Sequence, residues 1–63
     1  MVEPGDAHAQ ASLLALEQLS YDTAHQECLK ALELGCSPSL KSIALNLRGT
    51  FNFLRGNGIY YND

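Results

Sequence analysis

Positive charge is scarce in this chain of 63 residues: Lys30, Lys41, Arg48 and Arg55 stand against seven acidic residues, for a formal net charge of -3. Contacts from Lys and Arg to phosphate dominate nucleic-acid affinity, so so few cations in an acidic chain argue against DNA or RNA as a partner. Long apolar runs are missing as well. Nothing approaches the ~18 to 20 residues that span a bilayer, so no direct membrane insertion is expected of this segment. The opening MVEPGDAHAQ has neither the basic start nor the apolar stretch of a secretory signal, and the segment is expected to be soluble and unsecreted. Alternation with period two is absent over any useful length, which removes the usual argument for a β-strand. Cysteine is limited to Cys28 and Cys36. On one helix they would lie roughly 12 Å apart, beyond the ~7 Å reach of a disulfide, and buried reduced thiols are the simpler reading.

What remains is a short chain, 46% hydrophobic, with a helical pattern. A core of this size rarely supplies more than about 3 to 5 kcal/mol, so partners or neighbours matter to its stability. Asp6 is placed to cap a first helix near residues 7–18, whose stripe is Ala9, Leu13, Leu16 and Leu19, with Ser12 a small polar break beside it. Ser20 is placed to cap a second helix, with Asp22 in its first turn favourable to the helix dipole and Gly35 as its stop. Its apolar face runs Tyr21, Ala24, Cys28 and Ala31 beside Leu32, and His25, Gln26, Lys30 and Glu33 read as the solvated face. Ser37 before Pro38 marks a third helix reaching about Arg55, since proline at the first helical position gives up a donor that has no partner there. Leu40, Ile43, Leu47, Phe51 and Leu54 make one stripe, and Leu45, Gly49 and Phe53 a second beside it. An apolar arc this wide calls for neighbours on two sides.

The second helix poses a question of its own. In SYDTAHQECLKALEL the small residues Ala24 and Ala31 sit seven apart between bulkier Tyr21, Leu29 and Leu32. Residues seven apart share a helix face, so the alanines leave a shallow groove that another helix can approach closely. With Tyr21, Ala24 and Ala31 on its signature positions, this stretch resembles the second helix of a tetratricopeptide repeat, a helix-turn-helix unit of about 34 residues. SLKSIALNLRGTFNFLRGN resembles the first helix of a following repeat, with Gly49 on the glycine position and Phe51 and Phe53 near the aromatic site. Arg48 stands where leucine is usual, Asn52 at the tyrosine position, and Cys36 in place of the interrepeat proline. The first helix departs further, with Ser12 and Ala15 where glycine and tyrosine are usual.

The resemblance implies an all-α fold of antiparallel helical hairpins, about one and a half repeats in three helices, as part of a right-handed α-solenoid. Residues 1–6 would form an N-terminal cap or turn, 7–35 the first hairpin, 36–56 the first helix of the second repeat, and 57–63 a turn or the frayed start of a further helix. Repeat packing would fall to Tyr21, Ala24, Ala31, Leu32, Leu40, Leu47, Gly49, Phe51 and Phe53. Within the family, ALNLRGTFNFLRGN after the SYDTAHQECLKALELG segment is similar to the fungal form of the large import receptors of the mitochondrial outer membrane. That similarity implies a cytosol-facing, protein-binding role toward precursor polypeptides or chaperones, with the membrane anchor elsewhere in a longer parent. A repeat buries its apolar face by stacking, so neighbouring repeats or self-association are expected to cover Phe51, Phe53, Tyr60 and Tyr61.

Sites of other kinds carry less weight. His25 and Cys28 are three apart, with Cys36 and His8 available as further ligands, but zinc sites usually show tight paired spacing at both ends, and no metal or other cofactor is expected. Cys28 with His25 as a nucleophile and base needs an oriented pocket that a chain this short hardly builds, so no catalytic residue is assigned and no enzyme is expected. RGNGIYYND has glycines without the lysine of a phosphate loop. Lys41, Arg48 and Arg55 recur every seven residues and project from one side of the third helix. They read as a solvated face or, where first helices line the inner surface of a solenoid, as ligand contacts.

Overall fold

The computed structural model describes residues 3–58. Tyr60 and Tyr61, with the rest of the expected terminal turn after Gly58, lie outside the described residues. Three α-helices, α1 (Asp6–Glu17), α2 (Tyr21–Leu34) and α3 (Pro38–Gly56), follow one another without any strand among the described residues. The connections are three residues long, and the residue pairs that meet run in opposite directions. Ser12 meets Ala24 and His8 meets Glu27 across α1 and α2, while Cys28 meets Ala44 and His25 meets Phe51 across α2 and α3. Each helix is therefore antiparallel to the one before it.

The turn after α1 explains one departure from the sequence reading. Leu19 was expected on the apolar stripe, but it sits at φ 61° in the left-handed region and its side chain is 69% exposed. Leu19 N–H donates to Leu16 O and Ser20 N–H to Ala15 O, the bond pattern that closes a helix with a left-handed residue just past its end. Ser20 holds the N-cap position of α2 without a side-chain capping bond. Gly35 ends α2 at φ 88°, a conformation that costs glycine little and other residues much.

Asp6 also departs from its expected role. Gly5, not Asp6, is the N-cap of α1, and no side chain caps that helix. Asp6 is buried and serves α3 instead: its carboxylate accepts Ser37 N–H at 2.8 Å, Ser37 O–H at 2.7 Å and Glu3 N–H at 3.0 Å. Ser37 is the N-cap of α3, so a negative charge stands at the positive end of that helix's dipole. Together with Gly5 N–H donating to Gly35 O at 2.8 Å, this ties the start of α1 to the loop between α2 and α3.

Small residues dominate the interior. Ala15, Ala24, Cys28, Ala44 and Phe51 form one buried cluster, with Leu16, Tyr21, Leu32, Leu47 and Leu54 packed against it. Ala9, Ala31 and Cys36 form the other, with Leu40 beside them. Ser12, read from the sequence as a break beside the stripe, is 1% exposed and lies within the α1 and α2 contact, donating to Ala24 O at 2.6 Å. Alanine and serine facing alanine let the two backbones approach closely.

Candidate interaction surface

Three sides of α3 can be told apart. Leu40, Ala44, Leu47, Phe51 and Leu54 turn inward, with Ala44 and Phe51 buried. Lys41, Arg48 and Arg55 each follow one of the inward leucines by one residue, about 100° further round the helix, and all three are exposed. The row borders the seam with α2, which is set by Cys28 against Ala44 O and His25 against Phe51, and the charges of Arg48 and Arg55 bear on Cys28 and His25 there. The outer side carries Leu45 (42% exposed) and Phe53 (68%), with Gly49 between them; a Cβ added at Gly49 would meet nothing within 4 Å.

The seam itself corrects the reading of His25 as solvent-facing. His25 is 2% exposed, with its ring centroid 5.4 Å from that of Phe51 and the ring planes 31° apart. Burial pushes its pKa down, and the Arg55 guanidinium pushes the same way. The Cys28 thiol is pushed up by burial, partly opposed by Arg48, and it donates to Ala44 O at 3.1 Å. A neutral imidazole and a protonated thiol at one helix seam are packing groups, and both cysteines are free. The described residues hold no group of three or more His, Cys, Asp or Glu arranged for a metal ion, and they form no pocket. No helix among them is long and apolar enough to cross a membrane.

No protein-family model, curated protein or solved structure matches the chain. Of the residues expected to pack repeats, Tyr21, Ala24, Ala31, Leu32, Leu40, Leu47 and Phe51 fall in the two clusters, while Gly49 and Phe53 lie on the open side of α3. Lys41, Arg48 and Arg55 stand together as one exposed row. Ala44, not singled out in the sequence, is 2% exposed; its place seven residues before Phe51 was the available signal. Nothing local marks Asp6 as the anchor of a helix that starts more than thirty positions later.

Two groups make stability depend on acid. His25 titrates below its ordinary 6.5 in the folded chain, so between 6.5 and its folded value the unfolded chain binds the proton and the fold weakens. Asp6 is held below its ordinary 3.8, chiefly by the Ser37 hydroxyl and then the Ser37 N–H. Its contribution is present above 3.8 and is lost as pH falls through the lower folded value. Urea midpoints measured from neutral to strongly acidic pH should therefore fall in two stages. Replacing His25 by Gln should remove the first stage and Asp6 by Asn the second; a midpoint flat down to 3.8 would refute the assignment to His25.

Proposed function

We propose that the chain is a protein-recognition scaffold of tetratricopeptide-repeat type. In this reading α1 and α2 are the hairpin of one repeat, α3 is the first helix of the next, and the whole belongs to a right-handed solenoid. The role that fits best is in a receptor that docks precursor proteins or chaperones for mitochondrial protein import, by reversible contact and without bond making. The observation that carries the reading is the outer side of α3, where Leu45 and Phe53 stay exposed around an open Gly49 beside the basic row. Exposed apolar surface costs about 25 cal/mol per Å², and a patch with a charged margin is how a protein-docking face is usually built. Lys41, Arg48 and Arg55 would meet carboxylates or carbonyl oxygens of the docked segment.

The test is fluorescence anisotropy with a labelled amphipathic precursor peptide titrated with the chain. Saturable binding is expected, weakened about tenfold or more when Leu45 and Phe53 are both replaced by Ser. No saturation up to about 1 mM, roughly 4 kcal/mol of binding, would dismiss the client-docking role. The second reading is a structural spacer repeat without a client, and Gly49 favours it: a residue without a side chain on an outer helix face suits close stacking by a following helix. A spacer would show no peptide binding, with or without the substitutions.

A further inference from the structure

We infer that two copies of this chain pair across the α2 and α3 seam, α2 of each copy lying on α3 of the other. Charge is divided between the two helices. α3 holds Lys41, Arg48 and Arg55 and no acidic residue, whereas α2 holds Asp22, Glu27 and Glu33 against Lys30. Glu27 is already engaged, its Oε1 lying 2.6 Å from His8 Nδ1 of α1. Asp22 and Glu33 are exposed, and each stands two residues from a fully buried alanine, Ala24 or Ala31, hence about 200° away round the helix. Exposed Leu29 lies between them on the same line.

The two rows border the same seam. Going round α2, the residues that meet α1 come first (Ala24, Glu27), then those that meet α3 (Cys28, His25), then the acidic row. Going round α3, Leu40, which packs against the cluster that holds Ala9 of α1 with Ala31 and Cys36, is followed by Phe51 and Ala44, which meet α2, and then by the cations. Both rows thus lie beyond the mutual contact, on the side away from α1. A two-fold axis through the seam lays the acidic row of each copy on the basic row of the other, with Leu29 and Leu45 between them, so the surface is complementary to itself. The pairing uses the basic row that a client would use, but it does not depend on the client reading.

Sedimentation equilibrium of the 63-residue chain tests it. A dimer that weakens as salt is raised is expected. One variant carries Arg48→Glu and Arg55→Glu, a second Asp22→Lys and Glu33→Lys. Each alone sets like charges opposite one another and should raise the dimer Kd by about tenfold or more. An equimolar mixture of the two should restore a dimer as tight as the unmodified one, because every row then faces its opposite. Far-ultraviolet circular dichroism confirms that each variant is folded. Should either fail to fold, Arg48→Gln with Arg55→Gln replaces it, with weaker pairing and a flatter salt dependence expected. A chain monomeric up to about 1 mM at low salt, a dimer indifferent to the charge reversals, or a mixture that does not re-pair overturns the inference. A monomer that still binds the precursor peptide would leave the client reading standing alone.

Discussion

Replacing Phe51 by Ala abolishes cooperative unfolding of the isolated chain at room temperature: that is the expected result. Phe51 is fully buried and is the largest such side chain among the described residues, ahead of His25, Cys28 and Ser12. It joins the cluster that holds Ala15, Ala24, Cys28 and Ala44, and its ring lies against that of His25. Removing a buried phenylalanine costs about 3 to 5 kcal/mol, the transfer term plus the cavity it leaves. A core of this size supplies about that much in total. The alanines around the site carry only methyl groups, which cannot reach into the space, so the part of the cavity that they line stays open.

Phe53 is the control, two residues away on the same helix and 68% exposed. Phe53→Ala should change stability by no more than about 0.5 kcal/mol. Urea titration followed by far-ultraviolet circular dichroism separates the two. Equal effects would mean that α3 is not turned with Phe51 toward α2 and Phe53 away from it. The same comparison separates stability from recognition, because Phe53 and not Phe51 lies on the surface proposed to meet a partner.

The three helices were legible because their signals are local. Pro38 after Ser37, Gly35 with its positive φ, and apolar residues three and four apart act within a turn or two of the chain, and the helices fall within a residue or so of the expected limits. Leu19, Asp6 and His25 were misread for reasons that no local signal contains. Leu19 fits the helical spacing, but the chain has already turned there, and a leucine takes the left-handed position usually given to glycine. Asp6 looks like a cap of its own helix, and its partner Ser37 is brought to it only when α2 folds back. His25 is polar and reads with Gln26, Lys30 and Glu33 as part of the solvated face, yet the antiparallel register sets Phe51 directly against it. The outer side of α3 was legible as a second apolar stripe; what covers it is a property of assembly, which the spacing of one chain does not encode.

Gly5→Ala should be the most damaging change of a single methyl group. Gly5 has φ -83° and ψ -6°, an ordinary backbone conformation for any residue, so strain in the turn is not the reason. The reason is space. A Cβ at Gly5 would run into the carbonyl oxygen of Ala31 and stand 2.7 Å from that of Gly35, with the Ala31 carbonyl carbon at 3.1 Å. These are backbone atoms of α2 and its end, which cannot swing aside as a side-chain tip would. Relief requires the start of α1 to withdraw. Withdrawal would stretch the bond from Gly5 N–H to Gly35 O and shift Asp6, the next residue, from Ser37 at the start of α3. Overpacking of this kind typically costs about 1 to 3 kcal/mol, occasionally more, and here it strikes the point where all three helices are tied together. The urea midpoint should fall sharply. The acid stage assigned to Asp6 should shrink in parallel, because its carboxylate loses the partners that hold its pKa down. Gly49→Ala, placed where an added Cβ meets nothing, should stabilise α3 by a few tenths of a kcal/mol up to about 1 kcal/mol, because alanine restricts the unfolded chain more than glycine does. If Gly5→Ala left the midpoint unchanged or raised it, the close approach of the start of α1 to α2 at Ala31 would not be a feature of the fold.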